Sequence, residues 1–135
     1  NSYAWNDTVE PMFDLSSELG GSMVGKLIGQ KLVVYDVKDA AGNVTSVKME
    51  LYVDTGSVDL EAPDLSKQNW RLLAEYSDDG TNWPDPAAET YIDGCNGRKG
   101  QMFTWGGPYI ALRLDNNVWN LYKMSVRPIR PVKLN

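Results

Sequence analysis

No histidine occurs in these 135 residues, and cysteine occurs once, at Cys95. The lack of His removes Ser–His and Cys–His nucleophile pairs, the imidazole general base and the commonest metal ligand together. One thiol cannot close an internal disulfide or complete a structural zinc site. No stretch approaches the roughly 18 apolar residues of a membrane-spanning helix. Basic residues are in deficit, 13 Lys and Arg against 18 Asp and Glu, for a net charge of −5. A general nucleic-acid binder needs a basic surface to displace counterions, so nucleic acid is not an expected partner. An anionic membrane is not one either. These absences predict a chain with no metal, no cofactor and no catalytic centre.

What is present is β-rich. Residues 44–53, "VTSVKMELYV", alternate Val47, Met49, Leu51 and Val53 with Ser46, Lys48, Glu50 and Tyr52. That period of two marks a strand with one buried face. "KLVVYDV" at 31–37 precedes it, and "KDAAGNV" supplies turn chemistry through Gly42 and Asn43, so the two runs predict a hairpin with a longer loop. Further strands are expected at 70–77, at 108–114 and at 118–127. In the last of these Val118, Tyr122, Met124 and Val126 share a face, and "DNN" at 115–117 turns the chain before it. Weaker strands are expected near 90–92 and 101–105. Helix is sparse: residues 11–19 suggest a short one ended by Gly20 and Gly21, and "APDLSKQN" at 62–69 suggests one more turn. Short strands separated by turn clusters predict an all-β fold, a single antiparallel β-sandwich of jelly-roll type with at most one or two short helices. It would span residues 1–127. Pro128 and Pro131 keep residues 128–135 out of any central strand and predict an extended tail.

Several motifs invite a chemical reading. "GGSMVGKL" contains G-x-x-x-x-G-K, but Leu27 stands where a phosphate loop needs Ser or Thr, and no strand precedes it, so it is a glycine loop. Asn6 and Asn43 head Asn-x-Thr triplets, which are glycan acceptors only in a secretory setting. Cys95 lies among Gly94, Gly97 and Gly100 with no base to activate it, which suits an idle thiol in a contact loop.

"EYSDDGTNWPD" at 75–85 concentrates acids around Asp79-Gly80, a strong hairpin signal because Gly accepts positive φ and Asp tolerates it. Calcium could use Asp78, Asp79, Asn82 and Asp85, but the spacing is not that of a helix–loop–helix calcium site. Acids on one turn tip also cannot span the cleft of a glycosidase. The turn reading is therefore preferred.

Five Trp and seven Tyr raise a sugar platform, with rings stacked on sugar C–H faces and acids and amides bonding the hydroxyls. Trp105 in "FTWGGPY", Trp83 and Trp119 are the loop aromatics for that role, and Asp79 and Asn82 the polar partners. The competing reading is that such rings fill a core. Charge is also uneven. Asp7, Glu10, Asp14 and Glu18 precede the first base, whereas Arg113, Lys123, Arg127, Arg130 and Lys133 gather at the end. The two ends either neutralise each other within one fold or meet between copies. In the second case Asp7, Glu10 and Asp14 would face Arg127, Arg130 and Lys133.

"RLLAEYSDDGTNWPD", "GGPYIALRL" and "WNLYKMSVRPI", in that order, resemble the second half of discoidin-like (coagulation factor 5/8 type C) jelly rolls. Ser77, Asp79, Gly80 and Trp83 match that family's S-x-D-G-x-x-W turn. Tyr109, Ile110 and Leu112 match its Y-I-R-L strand, with Ala111 where Arg is usual. The likeness covers about residues 70–127, and the paired terminal cysteines of secreted members are absent. The same turn and strand also resemble small β-sandwich proteins of tailed-phage virions. The resemblance implies a sandwich and, with the composition, a non-catalytic virion subunit: a capsid decoration or tail-associated protein whose partners are virion proteins or copies of itself. The alternative is an extracellular carbohydrate-binding module. A hydrolase accessory domain is the second alternative.

Overall fold

A computed structural model describes residues 10–56, 59, 61–62, 64–81, 102, 104, 121 and 123–129. Three strands, β1 (Gly29–Lys38), β2 (Val44–Asp54) and β3 (Trp70–Asp78), form one antiparallel sheet in the order β1-β2-β3. They lie where alternation and β-branched content predict them. The regular structure of the described part is mostly strand, with a single four-residue α-helix, α1 (Leu15–Glu18), and a 3-10 turn at Leu65–Lys67. Among the described residues no helix is long and apolar enough to cross a membrane.

Strand β2 pairs on both sides, and its alternation fixes both registers. Val34, Met49 and Tyr76 lie in one cross-strand row, and Leu32, Leu51 and Ala74 in the next. Because opposite residues share a face, these rows build an apolar side of the sheet with Val47 and Val53 at its two ends. Both valines are fully buried, an arrangement that contributes about 1.5–3 kcal/mol per side chain. The register shifts at 51/52 on β2, leaving Leu73 of β3 as the extra residue of a bulge.

The turns follow from aspartate and glycine. The β1–β2 loop at 39–43 closes by Gly42 N–H to Asp39 O (3.0 Å) and Asp39 N–H to Asn43 O (2.9 Å), with Gly42 at φ 89°. The Asp39 carboxylate also accepts from the amides of Ala41 and Asn43 and from the Asn43 side chain. After β3, Gly80 takes φ 86°, as the Asp-Gly pair predicts. The β2–β3 connection is tied at its ends by buried Asp54, whose Oδ1 accepts from Gly56 N–H (2.9 Å) and Asn69 N–H (2.8 Å).

Three expectations change. The helix expected over 11–19 is a single turn, because Asp14 is extended (φ −78°, ψ 107°) and caps it through Ser16 N–H, so regular helix starts only at Leu15. The strand expected over 118–127 is absent at its described positions: Leu121 and 123–127 lie in no strand, and Met124 and Val126 are exposed. Alternation selects a face only when a neighbouring strand supplies the ladder. Of the weak strand expected near 101–105, the described Met102 and Thr104 lie in no strand, and Thr104 N–H donates to Met102 O at 3.0 Å. The strands expected at 90–92 and 108–114 lie outside the described residues, as do residues 130–135 of the tail. Packing divides the chain into two units, Asn1–Thr104 and Trp105–Asn135, and the sheet and α1 belong to the first.

Gly56 gives a sharp test of the β2–β3 connection. A β-carbon there would run into the carbonyl oxygen of Lys67 and approach Asn69 N to 3.3 Å. Gly56→Ala is expected to destabilise the protein by about 1–3 kcal/mol, the usual penalty of forced overpacking, as a lowered urea midpoint at unchanged slope.

Candidate functional site

The first strand is an edge of the described sheet. Among the described residues β1 has a neighbour only on the β2 side, so one row of its backbone N–H and C=O groups faces away from the sheet. Its apolar side chains on the Val47–Val53 face are open: Leu32 is 65% and Val34 46% exposed, while Met49 and Leu51 beside them are half-buried. Tyr35 and Val37 are exposed on the opposite side. Lys31, Asp36 and Lys38 interrupt this strand with charge, the usual brake on indiscriminate edge pairing.

The opposite face is polar and aromatic. Glu50 and Glu75 stand directly across from one another, a like-charge pair that by itself is destabilising. Their neighbours relieve it. Lys48 pairs with Glu75 at 3.0 Å, and the two Glu50 oxygens accept from Tyr35 OH (2.9 Å) and Tyr52 OH (2.8 Å). Further along, the Lys31 ammonium lies 4.3 Å from the Tyr52 ring centre and 4.9 Å from that of Trp70. The Trp70 ring crosses Asp54 to cover Gly29, where a β-carbon would come within 2.9 Å of it. Donation to Glu50 raises the Tyr35 and Tyr52 phenols above the ordinary tyrosine range, since ionising either loses that bond.

A third feature joins the start of the described chain to β3. Met12 N–H donates to Leu73 O at 2.7 Å, on the outer edge of β3 at its bulge. Arg71, in register with Val53 and so on the apolar face, pairs with Glu18 of α1 at 2.6 Å and lies 3.9 Å from the Phe13 ring centre. Both charged side chains are more than a third exposed, so the ion pair is worth at most about 1 kcal/mol, and the exposed cation–π contact about 0.5–1 kcal/mol.

The carboxylates singled out in the sequence are engaged in turns. Asp79 accepts from Thr81 N–H (2.9 Å) and Thr81 Oγ1 (2.6 Å), and buried Asp78 accepts from Gly80 N–H (2.9 Å). Asp14 caps α1 and bonds both Ser16 and Ser17. Among the described residues no three Asp, Glu or Cys side chains gather as a metal would require. Glu10 and Arg127 are exposed. Trp83, Trp105, Trp119, Asn82, Asp7, Arg130 and Lys133 lie outside the described residues. Among the described residues the structure assembles Lys31, Tyr35, Tyr52 and Trp70 on one face and Phe13, Glu18 and Arg71 at one edge. The alternation of 44–53 signals only the Tyr52 and Glu50 part of the first group, on the face opposite Met49 and Leu51; the contacts with Lys31 and Trp70 depend on two registers. The second group carries no local signal.

Two titrations check these assignments. Hydrogen bonds hold four aspartates below their ordinary range: chiefly from the Ser17 side chain for Asp14, from Asn43 for Asp39, from Ser66 for Asp64 and from Thr81 for Asp79. Their contribution to folding is in place above the unfolded aspartate value of about 3.9 and is lost as pH falls through the folded values. Carboxyl NMR is expected to find these four titrating lowest, with Asn43→Ala releasing Asp39 upward. The tyrosines run the other way: their stabilisation is complete below the unfolded phenol value of about 10 and fades as pH climbs through the raised folded values. An ultraviolet phenolate titration is expected to resolve two late-ionising tyrosines that Glu50→Gln brings back among the others.

Set against family models, curated proteins and solved structures, the chain matches none of them.

Proposed function

We propose that this protein is a non-catalytic structural subunit of a virion, working through protein–protein contacts, and that its sheet is one layer of a jelly-roll-like β-sandwich. The virion setting rests on the likeness of the Ser77–Trp83 turn and the "PYIALRL" segment to small virion sandwiches. The single observation that carries the contact reading is strand β1. Ten residues long, it leaves an edge without a described neighbour and holds Leu32 and Val34 out from the apolar face. Apolar surface of this kind, continuous with backbone groups that have no described partner, is what a neighbouring subunit covers in an assembly. The acids support the same reading from another side. Asp14, Asp39, Asp54, Asp78 and Asp79 accept backbone N–H bonds and so serve the turns.

Carbohydrate binding draws on a different observation. Tyr35 and Trp70 are exposed on the same polar face, at 38% and 36%. Their sugar-facing capacity is partly taken, because Lys31 lies over the Trp70 ring and Tyr35 donates its hydroxyl to Glu50.

Multi-angle light scattering and a glycan array separate the two readings. The chain is expected to self-associate, and Leu32→Glu with Val34→Glu to return it to the mass of one chain without changing its circular dichroism. A wild-type monomer that binds a glycan overturns the assembly reading in favour of the sugar one.

A further inference from the structure

We infer that residues 10–19 form an exchangeable arm whose second seat is β3 of another copy of this chain. The inference rests on the assembly reading above and gives it a specific partner. The occupant of the β3 edge is already visible, since the arm sits there within its own chain. Met12 N–H meets Leu73 O, the Phe13 ring lies under the Arg71 guanidinium, and Glu18 closes on the same guanidinium. Leu19, 5% exposed, anchors the end of the arm. An identical surface on a second copy offers the same contacts at the same geometry, so exchange needs no new complementarity.

What decides whether an arm can leave is its connector. Residues 20–28 contain neither helix nor strand. Gly20, Gly21 and Gly25 stand at φ 71°, 100° and 74°, with open space where a β-carbon would be. Val24 is 88% exposed. The connector's polar contacts are local turns and one bond from the Lys26 ammonium to the Leu19 carbonyl. Extended, nine residues reach roughly 30 Å, about the length of β3 itself, which is enough to carry the arm to an adjacent subunit. The Arg71–Glu18 pair is exposed and the backbone bond is single, so the seat is specific in geometry and light in hold.

Charge reversal tests exchange with association through β1 already removed. Glu18→Arg and Arg71→Glu are each made in the Leu32→Glu/Val34→Glu background, which removes association through β1. In either variant alone, like charges meet at the seat. Mixed in equal amounts, each arm finds its opposite charge only on the other chain. The mixture is expected to double in mass by light scattering while each variant alone stays at one chain mass. The variant carrying both reversals, whose pair is restored within one chain, is expected to stay folded and monomeric. A mixture that keeps the single-chain mass, with circular dichroism showing both variants folded, overturns the exchange. That result is distinct from failure of the assembly reading, which is read on the wild-type chain alone.

Discussion

Strand β2 must satisfy two ladders at once, and the rest of the structure depends on that. Its alternation puts Val47 and Val53 on the same face as Met49 and Leu51, and those two valines are the only fully buried aliphatic side chains among the described residues. A one-residue slip against either neighbour would move all four to the polar face and expose Glu50 to the apolar one. Both partners reinforce the register. Toward β1, the Asp39 carboxylate locks the loop. Toward β3, Asp54 gathers the two ends of a long connection onto a single oxygen. The second device does more than the first, because a long loop by itself sets no register.

The two faces of this sheet solve different problems. On the polar face the difficulty is Glu50 opposite Glu75, and the answer is local: a lysine for one acid and two phenols for the other. Every member of that network has a partner, which makes it a rigid surface and a poor adaptive one. On the apolar face the difficulty is coverage. Arg71, with the arm it holds, lies at the Val53 end, whereas Leu32 and Val34 on the outer strand stay open. The asymmetry explains why the proposed contacts gather on β1 and β3.

The strands and their turns were legible in the sequence because their causes are local. Period two over 44–53, the glycine at 42 and the Asp-Gly at 79–80 each dictate a conformation from neighbours a few residues away. Asp79 reads correctly as a turn residue for the same reason. The Lys31–Tyr52–Trp70 stack was not legible, since it exists only once two registers are known. The Arg71–Glu18 pair, 53 residues apart in the chain, was further out of reach. The helix over 11–19 was overextended because composition reads helical there, whereas a single Asp14 in extended geometry delays the start by several residues. At 123–127 the same alternation that identifies β2 gives no strand, so the pattern by itself does not enforce one.

Charge follows from this as well. The chain's excess of acid suggests, at first sight, a surface meant for cations or basic partners. Yet Asp14, Asp39, Asp54, Asp59, Asp64, Asp78 and Asp79 each accept a backbone N–H within the next few residues. Aspartate in that role is chosen for its short acceptor arm, and Asn or Ser would serve at a similar geometry. For these seven aspartates the negative charge is a by-product of turn-making, spread over several loops. Under the proposed assembly reading, partner choice falls to features with shape: at β1 a row of backbone groups with no described neighbour, and at β3 a guanidinium set between a ring and a carboxylate. Both suit extended chain more than a small ligand, and that is the physical ground for the proposal.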